Sequence, residues 1–209
     1  MLFQACLCKR PFNLFHRKNL SLRTARDIKR SFGNKKTWNT SFGKLIKRFN
    51  EEISNKIFSN GFKHEAISQD VLGIKNRRFD LVYLDPPYAR VGEKKPKDYH
   101  ELYHFLDGLL DYDNWDRKIN LNTKNKRLVR QKNHWNEGAI EDNFDALFEK
   151  FKDSIIVVSY GEPGSPSIYK IKKLLLKYKS IVRVVKKEYK YRLNHRNGHG
   201  LYEVLIIGE

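Results

Sequence analysis

Cysteine is nearly absent from the chain. Among 209 residues only Cys6 and Cys8 carry a thiol, and a spacing of one intervening residue suits neither an ordinary intrachain disulfide nor a complete four-ligand zinc site. A disulfide-stapled fold and a structural zinc module are excluded on this count, no metal is expected, and a reducing, cytoplasmic setting is the simplest reading. Long hydrophobic runs are missing as well. The apolar opening Met1 to Leu7 is followed by Lys9 and Arg10 and has no basic stretch before it, so neither a signal peptide nor a membrane span is predicted. There is no internal repeat and no low-complexity segment. Acidic residues are the scarcer charge, 24 against 42 Lys and Arg, for a formal net charge of +18. Such a surface favours a polyanion, nucleic acid ahead of a membrane, although charge alone sets a class of partner and no chemistry. The length allows one α/β domain with a real core and is short for two.

What is present centres on Asp85-Pro86-Pro87-Tyr88, which follows the apolar run Phe79 to Leu84. A buried strand ending in an acid, two prolines and an aromatic places a carboxylate, rigid carbonyls and a π-face at the carboxyl edge of a sheet, where open α/β sheets bind ligands. That set suits a flat amine. Asp85 can accept a hydrogen bond from an exocyclic NH₂, each proline offers a carbonyl without a competing N–H, and Tyr88 can stack on a base. Adenine meets all three demands. The bland alternative is a proline turn closing an ordinary strand. At average residue usage, a chance match to these four positions in a chain of this length is on the order of one in a thousand.

The chain resembles the amino-directed DNA methyltransferases, and within them the adenine-specific D12 class, whose hallmark is this Asp-Pro-Pro-Tyr loop. The resemblance extends over Met1 to Arg23, Asp70, Tyr99 to Trp115 and the ending Ser154 to Gly208. It implies an α/β fold: a partial Rossmann-like, S-adenosylmethionine-dependent methyltransferase sheet with an antiparallel carboxyl-terminal end and a basic, DNA-facing insertion at residues 115–136. It also implies catalysis by Asp85, Pro86, Pro87 and Tyr88, S-adenosylmethionine as cofactor, and double-stranded DNA as partner. Asp70 matches the acid that holds the cofactor's adenine amine in such enzymes; its alternative role is to cap the helix that follows.

Along the chain, Phe12, Phe15, Leu20 and Leu22 are interleaved with Arg10, His16, Arg17 and Arg23. Spacing alone favours core aromatics with solvated cations, whereas the resemblance places the Arg-Pro-Phe-Asn segment, with Arg10, Asn13, His16, Arg17 and Arg23, against DNA. Phe42, Leu45, Ile46, Phe49, Ile53 and Ile57 follow helical spacing, with Thr40 or Ser41 as cap and Asn60-Gly61 as stop. Lys63 to Ser68 is predicted to be a strand ending at Gln69-Asp70, so that two neighbouring strands end in acids. A helix with an apolar face is expected within Asp98 to Asp113. The stretch Trp115 to Trp135, with Lys124, Lys126, Arg127 and Arg130, reads as an exposed basic insertion; it is either a solvated loop or, as its place after the loop of a DNA-modifying enzyme favours, a segment making groove and phosphate contacts. Beyond it come a helix around Phe144 to Phe151, a strand from Ser154 to Tyr160, the loop Gly161 to Ser167 and a helix from Ile168 to Lys177. Three strands complete the pattern, Ile181 to Val185, Tyr189 to Leu193 and Tyr202 to Ile207, the last two joined by a hairpin connection at Asn194 to Gly200.

Family members carry a Phe-x-Gly-x-Gly turn after the first strand, where backbone approaches the cofactor. Ser31-Phe32-Gly33-Asn34 lacks the second glycine, and Gly161 and Gly164 follow a later strand. The expectation is therefore a single domain that is amino-terminally incomplete, through truncation, a second chain supplying the missing motif, or decay to a DNA-binding remnant; truncation is favoured. The rivals are a noncatalytic nucleic-acid-binding protein, which leaves Asp-Pro-Pro-Tyr unexplained, and an RNA or protein amino-methyltransferase using the same loop.

Overall fold

The computed structural model describes residues 40–75, 78–90, 104–122, 128–129, 135, 140–188 and 201–209. They fall into two compact units, one drawn from residues up to Ala66 and between Tyr99 and Gln131, the other from Ile67–Asp98 and Lys132–Glu209.

In the first unit, helix α1 (Phe42–Ser54) starts where Ser41, in an extended conformation, accepts a hydrogen bond from the Lys44 amide. Its buried residues are Leu45 and Phe49, one turn apart and so on one face. The helix stops three residues short of Ile57, which is exposed. Asn55 caps it, its backbone N–H donating a hydrogen bond to the Glu51 carbonyl, so the apolar spacing overruns the real end; Asn60 and Gly61 lie in the loop beyond, where Gly61 takes φ +80°. Helix α2 (His104–Leu110), a 3-10 turn at Tyr112–Asn114 and helix α3 (Trp115–Lys118) follow. The Trp115 indole occupies the space that a side chain at Gly108 would need, so glycine is what lets α3 fold back on α2. Asp111 accepts from Asn114 and Lys118, and these bonds, the Lys118 one first, hold its carboxyl below the usual carboxylate range. A single antiparallel bridge joins Ile119 to Leu128. Leu128 is buried, so the basic stretch after Trp115 is not solvated throughout its length.

The second unit is built on a four-stranded sheet in the order β1-β3-β6-β5, from β1 (Leu81–Leu84), β3 (Ile155–Glu162), β5 (Val182–Glu188) and β6 (Tyr202–Gly208). β1 runs parallel to β3, with Leu84 opposite Val158. β6 is antiparallel to both neighbours, pairing Val158 with Ile206 and Ile206 with Val184. The mixed α/β sheet with an antiparallel carboxyl-terminal end thus has the character predicted. The chain segment Lys63 to Ser68, expected as a further strand, is irregular and exposed. Of its six residues only Ala66 and Ile67 are apolar, and Ile67 is itself exposed, so it presents no buried face to pay for pairing. The predicted strand Tyr189 to Leu193 and the connection Asn194 to Gly200 lie outside the described residues.

Alternation along the strands divides the sheet into two faces. One carries Val82, Leu84, Ile156, Val158, Tyr160, Val204 and Ile206. Helices α4 (Ile140–Lys150) and α5 (Ile168–Leu175) supply Phe144, Leu147, Phe148, Ile171 and Leu175 to the same core. Phe144 meets Trp135, Phe148 and Tyr160 at centroid distances of 5.6, 5.6 and 6.2 Å, within the range where aromatic pairs add to area burial. The opposite face carries Leu81, Tyr83, Ile155, Val185 and Leu205, all exposed, with Tyr83 at 58%. Across the helices, Lys177 pairs with Asp145 at 2.9 Å and Lys170 with Glu141 at 2.6 Å; exposed pairs of this kind contribute little. Among the described residues no helix is long and apolar enough to cross a membrane.

Candidate active site

Asp85 follows β1 directly, at the strand's carboxyl end, as its sequence position predicts. It is exposed, whereas Pro86 is buried and Pro87 and Tyr88 are half-buried. The order of burial has a chemical sense: the acid faces solvent while the backbone behind it is packed, so the carboxylate is reachable yet carried on a fixed support. β1 needs only four residues because its partner β3 is twice as long and holds it from Leu81 to Leu84 in parallel register.

Immediately past Tyr88, β2 (Ala89–Arg90) pairs antiparallel with β4 (Gly164–Ser165), which lies in the loop after β3. From the sequence alone, Gly161 to Ser167 reads as a plain connection. A two-residue ladder has no periodicity by which to be found, but the glycines mark it. A Cβ at Gly161 would lie 2.7 Å from Cζ of Tyr88, and one at Gly164 would lie 2.5 Å from the Gly161 carbonyl oxygen. Tyr88 itself rests on Tyr160 with ring centroids 4.6 Å apart. Burial, and secondarily the neighbouring Tyr88, pushes the Tyr160 phenol above the ordinary tyrosine range. Tyr160 is therefore a neutral donor, and its hydroxyl donates to the Pro166 carbonyl at 2.9 Å.

Asp70 is placed at a turn and not at a strand end. Its Oδ1 accepts from the Leu72 amide at 2.9 Å, capping the 3-10 helix Val71–Gly73, so the capping role considered from the sequence is the one the geometry displays. Val71 and Leu72 pack against the same core as the sheet, and Lys150 of α4 donates to the Leu72 carbonyl at 2.7 Å. The turn that carries Asp70 and the loop that carries Asp85 are thereby fixed to one body. A carboxylate has about four lone-pair sites, so accepting one amide bond is compatible with accepting an amine as well. A groove of about 990 Å³ lies near the amino-terminal end of β3, lined by Leu72, Arg78, Lys150 and Ser154 among others. It includes neither Asp70 nor any of Asp85 to Tyr88, and its mixed charges of Arg78, Glu149, Lys150 and Asp153 single out no ligand.

The candidate nucleic-acid contacts Arg10, Asn13, His16, Arg17, Arg23, Lys124, Lys126, Arg127 and Arg130 lie outside the described residues. Among the described residues no three His, Cys, Asp or Glu side chains come together as a metal site.

No curated protein and no solved structure matches the chain. The sequence profile of the D12 class N6 adenine-specific DNA methyltransferases does match, over residues 11–162. That span takes in Asp70, the whole of Asp85 to Tyr88 and β3 with Tyr160 and Gly161, and it exceeds half of the 209 residues. With the acid-proline-proline-tyrosine loop standing at the carboxyl end of a parallel strand, the chain belongs to the D12 class N6 adenine-specific DNA methyltransferase family.

Proposed function

We propose that the chain transfers a methyl group from S-adenosylmethionine to the exocyclic amine of adenine in double-stranded DNA, on a Rossmann-like sheet of which the four described strands are part. The observation that carries this reading is the exposed Asp85 on the packed Pro86 and Pro87 backbone, beside a half-buried aromatic ring. A duplex base has to leave the stack before its amine can be reached. Tyr88 offers a π-face for the displaced base, and Asp85 with the Pro86 carbonyl offers two acceptors for the two amine hydrogens. Conjugation into the ring makes that amine a poor nucleophile. Two fixed acceptors draw the nitrogen toward tetrahedral geometry and orient its lone pair for in-line attack, a positional and electrostatic contribution that needs no rearrangement during the reaction. Asp85 balances the positive charge that builds on the amine as its bond to carbon forms, and the proton then leaves to solvent beside the exposed carboxylate.

The cofactor, when bound, would supply an electrophilic methyl group on a sulfonium, whose carbon–sulfur bond would break in the transfer with the bonding pair left on sulfur as a neutral thioether. Of the described residues Asp70 fits it, as an acceptor for its adenine amine, and the net charge of +18 suits the DNA. The basic stretch from Trp115 to Trp135 and the Arg10 to Arg23 segment are proposed to meet phosphates.

The direct test is transfer of a labelled methyl group from S-adenosylmethionine to adenine in mixed-sequence duplex DNA by the purified chain, with RNA as competitor. Label in DNA adenine supports the reading. Salt-sensitive DNA binding without label would leave a noncatalytic nucleic-acid-binding protein instead.

Two substitutions refine it. Asp70→Asn keeps an oxygen to accept the Leu72 amide, so the melting temperature should hold. Affinity for S-adenosylmethionine, read by calorimetry, should fall about tenfold through loss of a charged acceptor. An unchanged affinity would leave Asp70 as a cap alone. Tyr88→Ala should weaken capture of a flipped base, reported by 2-aminopurine fluorescence, by about 1–3 kcal/mol while leaving nonspecific duplex binding in place; equal losses on both would remove the stacking role.

A further inference from the structure

We infer that Tyr160 and Gly161 are positioning residues for this reaction, which seat the Tyr88 ring at one place beside Asp85. The inference rests on the proposed transfer to adenine, since it is there that the ring receives the base.

The seat has three parts. Its floor is Tyr160, 1% exposed, whose ring lies under Tyr88 at 4.6 Å with planes inclined by 44°. That floor is itself immobilised: the hydroxyl is spent on the Pro166 carbonyl, and Phe144, fully buried, packs edge-on against the ring. Its wall is Gly161. A side chain there would come within 2.7 Å of Cζ and 2.8 Å of Cε2 of Tyr88, closer than carbon atoms approach, and Tyr88 would have to move. Its clasp is the ladder just downstream, Ala89 opposite Ser165 and Arg90 opposite Gly164. Gly164 belongs to the same seat, for a Cβ there would press on the Tyr160 ring as well as on the Gly161 carbonyl.

A ring so held needs no reordering when a base arrives, and preorganisation of this kind is where remote residues contribute to rate. Asp85 is three residues from Tyr88 with two prolines between, whose fixed φ angles leave little slack. Displacing the ring therefore also shifts the acceptor.

The experiment uses the full chain in two arms. In the first, without DNA or cofactor, nitration by tetranitromethane is followed at individual tyrosines by peptide mass spectrometry, with the exposed Tyr169 as internal reference. Gly161→Ala should raise the Tyr88 rate relative to Tyr169 by about threefold or more, because the ring is pushed from its seat into solvent. In the second arm, Gly161→Ala should lower kcat/KM for methyl transfer by about 10- to 100-fold. The same change in a Tyr88→Ala background should cost no more than about twofold further, as expected for two residues acting through one contact. Tyr160→Phe keeps the ring and loses the Pro166 bond. It serves where Gly161→Ala does not fold, with smaller changes of the same sign in both arms. Unchanged nitration at Tyr88, or equal activity losses with and without the Tyr88 ring, would overturn the inference. A parent chain that transfers no methyl group overturns the proposed function instead, and the nitration rates still decide whether the seat exists.

Discussion

Asp85→Ala is expected to lower methyl transfer by about 10²–10³-fold or more, the range found when one preorganised group is removed from a site of charge development, and to leave the melting transition within experimental error. The two expectations come from opposite properties of one residue. Its side chain is exposed, and exposed side chains outside special contacts contribute within about 0.5 kcal/mol to stability. The role proposed for it, on the other hand, cannot be taken over by a neighbour. Pro86 can contribute its carbonyl and no more, and an alanine at 85 leaves one amine hydrogen of the adenine without an acceptor. Asp85→Asn should fall between the two, since the amide oxygen still accepts but carries no charge to balance the amine. The measurement is single-turnover methyl transfer on duplex DNA at saturating cofactor, accompanied by circular dichroism. Activity of the alanine variant within a few-fold of the parent would dismiss Asp85 as the orienting acceptor.

The largest effect on stability is expected at Phe144→Ala, about 3–5 kcal/mol by urea denaturation. Phe144 is fully buried and contacts three other aromatic rings, so its removal forfeits the transferred area, leaves a cavity, and dissolves three ring pairs together. Against a total stability of about 5–15 kcal/mol for a natural domain, that loss is a large share. Phe144→Leu should cost much less, since it retains most of the volume. A loss below about 1 kcal/mol for the alanine variant would mean that α4 is not packed on the sheet as described. Tyr160 connects this position to the site: it is one of the three rings that Phe144 touches, so the alanine variant should also release Tyr88 from its seat below the temperature at which the sheet melts.

The parts of this structure that were legible in the sequence are those with a repeating signal. The run Ile155 to Val158 is apolar throughout and lies in β3, the strand parallel to β1; the apolar run Val204 to Ile207 lies in β6; the helical spacing of Phe144, Leu147, Phe148 and Phe151 placed α4 within a few residues. Asp85 to Tyr88 were found because four particular residues followed a recognisable strand. What failed did so for want of a signal or through a misleading one. Lys63 to Ser68 has a strand's length without its buried side. Ile57 continues the α1 spacing past a cap that the pattern does not register. The packing of Tyr88 on Tyr160, and the absence of room beside Tyr88 at Gly161, are long-range contacts more than seventy residues apart in the chain. Two glycines three residues apart on either side of a proline gave the only hint of them.

The position of β6 bears on how the protein comes into being. It lies between β3 and β5, so the sheet's middle is closed by a strand made after both of its neighbours. While the ribosome is still upstream of Tyr202, β3 has β1 as its one neighbour among the described strands of the sheet, and β5 has none. The aromatic core under α4 and α5 can collapse early, but the ladder that fixes its register waits for residues 202–208. Pairing across such a separation is slow relative to local structure, and unpaired strands in the interval are the species that aggregate. Expression at low temperature, or with chaperones that shield nascent strands, should therefore raise the yield of folded protein more than any change to its surface.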